Sequence, residues 1–162
     1  MSFKNRIVFI SGVSRGIGKA LALDFLNKKS IVIGISRKDL LKDIAFNHKN
    51  FFHFKGNVNN VIFLKKIIKK ITSKFGKIDV LILNAAIIGE MKKIKDSDYK
   101  IWKSVINTNL NANFLLVNLF NDLINKSKSG RIVCVTSTAA WKIRSLWGSY
   151  SVSKAGLEVL VK

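Results

Sequence analysis

Apolar positions along this chain follow two rhythms. Short, nearly unbroken apolar runs recur at Arg6–Ser11, Ser30–Ser36, Phe51–Phe54, Asp79–Leu83 and Arg131–Ser137. Runs of that length predict strands buried on both faces. Between them, apolar residues return every three or four positions, which is the spacing of one helix face. This predicts helices over Gly16–Lys28, near Asp39–Phe46, over Asn59–Phe75, over Ser97–Lys126 and from Tyr150 to Lys162. In the third of these, Val61, Phe63, Leu64, Ile67, Ile68, Ile71 and Phe75 form the apolar stripe, and Gly76 stands where the helix should stop. Buried strands alternating with amphipathic helices mean βαβ units on a parallel sheet. The predicted fold is a doubly wound, Rossmann-like α/β layer of five strands, one domain over residues 1–162.

Composition removes several function classes. The chain has one cysteine, Cys134, so an intrachain disulfide and a cysteine-based zinc site are both excluded. A lone thiol fits a reducing compartment. His48 and His53 have no carboxylate spacing that suggests a metal. No apolar run approaches the roughly 18 residues needed to span a bilayer. The first apolar stretch, Ile7–Ile10, is shorter than the roughly 7–15 residues of a signal-peptide core. The expectation is a cytoplasmic protein without a membrane partner.

The net charge is +20, from 24 Lys and 5 Arg against 9 acidic residues. Lys, Ile and Asn together make 60 of 162 residues, which reads as a drift in composition along the whole chain. The densest basic run, Lys65–Lys77, mixes lysines with apolar residues at helical spacing and is read as the solvated face of a helix. Nucleic acid is therefore not an expected partner, although a basic nucleic-acid-binding protein stays open as an alternative.

Ser11-Gly-Val-Ser-Arg-Gly-Ile-Gly18 ends the first strand and opens the first helix. Gly12 lets the chain turn, Gly16 admits close backbone approach, and Gly18 lets helix and sheet pack tightly. The N–H groups at such a helix start favour an anion. The loop resembles the Thr-Gly-x-x-x-Gly-x-Gly motif of the short-chain dehydrogenase/reductase family, with Ser11 in place of Thr.

Further segments carry the same resemblance in order. Tyr150-Ser-Val-Ser-Lys154 puts a phenol and an ammonium on one helix face. A cation beside a phenol favours the phenolate, so such a pair is a general acid/base candidate for alcohol–carbonyl exchange. Ser137, at the end of the fifth strand, is similar in position to the family's catalytic serine and would hold the substrate oxygen. Asn109, in Trp102-Lys-Ser-Val-Ile-Asn-Thr-Asn109-Leu110, matches the family's fourth catalytic position. The resemblance implies that its carbonyl, freed by a helix kink, holds a water that relays protons through Lys154. Asn84-Ala85-Ala86 resembles the family's Asn-Asn-Ala-Gly strand end, with Leu83 and Ala86 as departures, and Asn57-Val58 stands where Asp-Val is usual.

The resemblance implies a catalytic set of Asn109, Ser137, Tyr150 and Lys154. The implied cofactor site comprises Ser11, Gly12, Ser14, Arg15, Gly16, Ile17, Gly18, Ser36, Arg37, Asn57, Val58, Asn84 and Ala85, together with Tyr150 and Lys154. The second strand ends Ser36-Arg37-Lys38, with no acidic residue to bind a free ribose 2′-hydroxyl. Arg37 and Arg15 are placed to clamp a 2′-phosphate, so NADP(H) is expected over NAD(H).

Members of this family usually continue past the point where this chain ends, through a sixth strand and a substrate lid. An incomplete domain with an uncovered fifth strand is therefore expected. The readings that stand are a carbonyl/alcohol oxidoreductase, a nucleotide-binding module without turnover, and a nucleic-acid-binding protein. A homo-oligomer is possible under the first.

Overall fold

The computed structural model describes residues 2–40, 43–142 and 144–162, with Ile44 described in its backbone only. Five strands form one sheet: β1 (Ile7–Ser11), β2 (Ile31–Ser36), β3 (Phe51–Lys55), β4 (Val80–Leu83) and β5 (Arg131–Cys134). Their order is β3-β2-β1-β4-β5 and every pairing is parallel. Five helices connect and flank them: α1 (Gly16–Asn27), α2 (Val61–Phe75), α3 (Tyr99–Ile106), α4 (Ala112–Asn125) and α5 (Gly148–Leu160).

Strand residues alternate between two cores. Ile7, Phe9, Ile33, Ile35, Leu81 and Leu83 face one side, where α2 and α4 cover them with Leu64, Ile67, Ile71, Leu116, Phe120 and Leu123. Val8, Ile10, Val32, Val80 and Ile82 face the other side, against Ala22 and Leu26 of α1. Both faces are covered, which is why the strands read as continuous apolar runs. The chain moves outward in one direction through β2 and β3, then returns past β1 to β4 and β5. The point of reversal lies between β1 and β4, where open α/β sheets bind ligands at their carboxyl ends.

Three predicted elements differ from the observed ones. The Ser97–Lys126 helix is two helices, α3 and α4, joined by a π-helical turn over Asn107–Asn111. Asparagine side chains take part in that break, since Asn113 Nδ2 donates to the Asn109 carbonyl at 2.7 Å. The fifth strand ends at Cys134, because its partner β4 ends at Leu83; Val135 N still donates to Leu83 O at 2.9 Å. Of the predicted Asp39–Phe46 helix, the structure shows a single 3₁₀ turn over Ile44–Phe46, while Leu41 and Lys42 lie outside the described residues. β5 is an edge strand whose Ile132 and Val133 are exposed.

Candidate active site

The carboxyl ends of β1 and β4 are clamped together. Ser11 Oγ accepts the N–H groups of Asn84 (3.0 Å) and Ala85 (3.1 Å) and donates to Ile82 O (3.4 Å). Asn84 Nδ2 donates to the carbonyls of Ser11 (2.9 Å) and Gly12 (3.0 Å). These two polar side chains are thus engaged by protein groups. They set the position of the loop.

The loop itself is shaped for close approach. Gly12 has φ +80° and Gly16 φ +56°, the left-handed region that disfavours other residues. A Cβ on Gly18 would land on the Gly12 carbonyl, so helix α1 packs against the turn only because that atom is missing. A Cβ on Gly16 would meet nothing within 4 Å, which leaves open space above the loop. Among the described residues, no acceptor engages the N–H groups of Ser14, Arg15, Gly16, Ile17 and Gly18. Five adjacent donors at a helix start, with Arg15 and Ile17 exposed beside them, make an anion cradle. The residues present fit the pyrophosphate of a dinucleotide.

The end of β2 is more occupied than the sequence suggests. Ser36 is buried, and its hydroxyl lies 2.7 Å from Lys38 O and 2.8 Å from His53 Nε2. A hydroxyl has one proton, and the Lys38 carbonyl can only accept. The Ser36 proton therefore goes to Lys38 O, and His53 Nε2 must carry its own hydrogen and donate. Sequence reading weighs His53 only as a metal ligand; its position opposite Gly34, two residue pairs before the strand end, shows only in the register. Burial holds the His53 imidazole below its ordinary value, against the pull of Asp39 and with the push of Lys55. Arg37 is exposed beside this pair, and neither it nor Arg15 is paired with a carboxylate among the described residues. Asn57 closes the turn into α2, its Oδ1 accepting Asn59 N at 3.0 Å, and Val58 is buried in the α2-side core.

The four expected catalytic residues gather at the β5–α5 end. Ser137 caps a 3₁₀ turn over Thr138–Ala140, accepting Ala139 N at 3.2 Å, and this turn packs on α5. Tyr150 and Lys154 are one turn apart on α5, with the ammonium 5.9 Å from the phenol ring centroid. Lys154 is 2% exposed and donates to Val135 O at 2.7 Å. Burial draws its pKa below the ordinary lysine value. Burial likewise pushes the adjacent Cys134 thiol up to about 11, opposed by Lys154, so that thiol stays protonated and unreactive at neutral pH.

Asn109 is a buried hub. Its side chain accepts from Ile87 N (2.8 Å) and donates to Ile87 O (2.9 Å) and Ser153 Oγ (3.0 Å). Ser153 Oγ in turn donates to Tyr150 O at 2.7 Å. The π turn thus ties the segment after β4 to the helix that carries Tyr150 and Lys154. Ser153, Asn113 and Trp147 are the participants that sequence reading missed. Ser153 was visible inside Tyr-Ser-Val-Ser-Lys, and Trp147 stands edge-on to Tyr150 at 5.5 Å between ring centroids. Nothing in the spacing marks Asn113 among so many asparagines.

A parallel five-stranded sheet flanked by helices, with a glycine-rich turn after β1, is a Rossmann-like α/β fold. The chain belongs to the short chain dehydrogenase family, whose pattern matches residues 6–162. It is 35% identical over 159 residues to an uncharacterized oxidoreductase of Schizosaccharomyces pombe, covering 96% of this chain and 63% of that one. It is 29% identical over 164 residues to the 3-oxoacyl-[acyl-carrier-protein] reductase of Salmonella typhimurium, covering 97% and 65%. A short chain dehydrogenase of Salmonella enterica serovar Typhi superposes with a TM-score of 0.91 at 26% identity, over 98% of this chain and 68% of that one. The chain spans under two thirds of the length of the curated relatives it matches. No helix among the described residues is long and apolar enough to cross a membrane.

Proposed function

We propose that the protein is an oxidoreductase that interconverts a carbonyl and a secondary alcohol with NADP(H), with residues 1–162 as its dinucleotide-binding domain. The observation that carries this reading is the unengaged row of N–H groups over Ser14–Gly18, on the same sheet edge as Ser137, Tyr150 and Lys154. The bound nicotinamide would supply the hydride. Ser14–Gly18 hold the pyrophosphate, and Ser11 and Asn84 hold that loop. Ser137 donates its hydroxyl to the substrate oxygen and Tyr150 transfers the proton to it. Lys154, buried without a carboxylate partner among the described residues, keeps a positive charge beside the phenol and binds ribose hydroxyls. Asn109 and Ser153 fix the helix that presents both groups. Carbonyl reduction is also what the name of the 3-oxoacyl reductase relative describes for that protein.

Preference for NADP(H) rests on Arg37 and Arg15, two cations with no carboxylate partner among the described residues, and on the absence of a carboxylate at Ser36. The test compares NADPH and NADH dissociation constants at low salt, before and after Arg37→Asp. The wild type is expected to bind NADPH more tightly by about tenfold, and the variant to lose that advantage. Tighter NADH binding by the wild type refutes the preference. A second reading is nucleotide binding by the Ser14–Gly18 cradle without turnover. NADPH oxidation against a panel of ketones separates the two.

A further inference from the structure

The lysine run over Lys65–Lys77 is not used by the reading above. Composition alone makes it a solvated helix face. The structure adds what composition lacks, a concave floor beneath the lysines. At the β3 border of the sheet, opposite the β5 border, a cavity of about 480 Å³ opens between β3 and α2. Its floor is aromatic: Phe52 and Phe54 of β3 and Phe75 of α2, all half-buried, with Phe52 and Phe75 edge to face at 5.3 Å. Its rim is cationic: Lys69, Lys70 and Lys74, all exposed. The Lys74 ammonium lies 4.0 Å from the centre of the Phe52 ring and 5.6 Å from that of Phe75, and Lys70 lies 5.8 Å from Phe54.

Two features set this groove apart from lysines covering a greasy spot. None of the three is ion-paired with a described carboxylate. The chain between Asp43 and Asp79 holds eight lysines and no acidic residue, and no carboxylate is among the described residues that line the groove. A ligand must then be anionic at several adjacent points and present flat apolar faces between them. Single-stranded nucleic acid has both properties: phosphates spaced along a chain, and bases that stack on aromatic rings. An isolated carboxylate would gain little from exposed, well-hydrated lysines.

We propose that the β3–α2 groove is a binding site for single-stranded nucleic acid, in which the exposed Lys70 and Lys74 side chains swing off the Phe54 and Phe52 rings to join Lys69 on phosphates, and bases stack on the rings they uncover. The site is separate from the dinucleotide site and its existence does not depend on turnover. It departs from the expectation drawn from charge alone, because charge alone supplied no stacking surface.

The test uses fluorescence anisotropy of the full chain with labelled oligo-rU, oligo-dT and a duplex, each about 15 nucleotides long. The expected result is tighter binding of a single strand than of the duplex by at least about tenfold. The rU and dT arms tell RNA from single-stranded DNA. A Lys69→Gln, Lys70→Gln, Lys74→Gln variant should lose about tenfold or more, and its salt slope should flatten by about 2, the share of three phosphate contacts on a single strand. A control with Lys95→Gln, Lys100→Gln and Lys103→Gln should change affinity less than about twofold. Phe54→Leu should weaken strand binding while heparin binding is unchanged, which a merely folded-state role would not produce. Equal binding of duplex and heparin, equal loss in both lysine variants, or no binding overturns the proposal.

Discussion

The two ends of the same sheet satisfy their polar groups in opposite ways. At the amino end, Asp79 is 3% exposed and its carboxylate accepts from Ile7 N (2.9 Å), Lys77 Nζ (2.7 Å) and Ser127 Oγ (2.5 Å). Its own backbone joins in: its N–H donates to Ile7 O at 2.8 Å and its carbonyl accepts Arg131 N at 3.0 Å. One residue thereby ties β1, β4, β5 and the turn before β5, and Arg6 Nη1 adds a bond to Ser129 Oγ at 2.7 Å. At the carboxyl end, five N–H groups, two arginines and one buried ammonium have no anionic partner among the described residues. The amino end is closed on itself and the carboxyl end is held open for something else. Stability and chemistry are thus separated along the strand direction, and substitutions at the two ends should separate in the same way.

The largest effect is expected at the open end. Tyr150→Phe removes the one proton that the proposed chemistry moves, and ketone reduction should fall by about 10²–10⁴-fold. NADPH affinity should stay within about twofold, because the phenol ring and its contact with Trp147 remain. Single-turnover NADPH oxidation with titrated cofactor measures both. Unchanged turnover would mean that the carboxyl end is not where the reaction happens.

The mirror experiment is Asp79→Asn. It leaves the buried N–H of Ile7 and the half-exposed Lys77 ammonium without their charged acceptor, and should cost about 1–3 kcal/mol in urea unfolding. NADPH binding should be unaffected. The pH dependence has a definite sign. Burial pushes the Asp79 carboxyl upward, but the hydrogen bonds from Lys77, Ser127 and Ile7 prevail and hold it below its ordinary value of 3.8. A depressed folded pKa means stability that is full above 3.8 and is lost as the pH falls through the lower, folded value. The stability gap between wild type and variant should therefore close on acidification below 3.8, while staying constant on the alkaline side. A gap that persists in acid would show that Asp79 acts through shape instead of charge.

The two ends were also unequally legible. The open end is written in local patterns: glycines at fixed offsets in Ser11–Gly18, and a phenol and an amine four apart at Tyr150 and Lys154. Periodicity carried the strands, since two-sided burial leaves little but apolar residues at Ile7–Ile10 or Val80–Leu83. The closed end is written in long-range contacts. Asp79 meets Ile7 across 72 positions and Ser127 across 48, and no local spacing marks it as a hub. The helix break at Asn107–Asn111 was legible only through the family resemblance, which implied a kink at Asn109. A 3.6-residue apolar period continues through it, and only the side chain of Asn113 on the Asn109 carbonyl distinguishes the π turn from an unbroken helix. Ser11 and Asn84 were legible as positions and illegible in role, because their partners lie on each other's strand ends, 73 residues apart.

Within the open end, two glycine substitutions sharpen what the cradle needs. Gly18→Ala would drive a Cβ into the Gly12 carbonyl and the Asn84 amide, so the loop must shift. NADPH affinity should fall by about tenfold or more, the scale of losing one or two charge-assisted N–H bonds. Gly16→Ala meets no atom and suffers only its left-handed φ of +56°. That strain amounts to about 1 kcal/mol, or about fivefold in affinity if it is relieved by loop movement. Equal losses from the two substitutions would mean that backbone conformation, not helix–turn packing, controls the cradle.

The smallest effect concerns His53, where the hydrogen count gives a sharp expectation. Ser36 spends its proton on Lys38 O, so His53 supplies the other hydrogen, and together they pin the turn that carries Arg37. His53→Leu deletes the donor and lets Ser36 rotate, whereas His53→Gln keeps an N–H within reach. The ratio of NADPH to NADH affinity should drop by about three- to fivefold in the leucine variant and return to within about twofold in the glutamine variant. Imidazole ¹⁵N shifts of the wild type should report a protonated Nε2. If leucine weakens both cofactors equally, His53 merely supports β3, and the 2′-phosphate preference belongs to the arginines alone. If glutamine rescues the ratio, a half-buried imidazole on the neighbouring strand is a positioning residue for cofactor choice, reached through one serine hydroxyl.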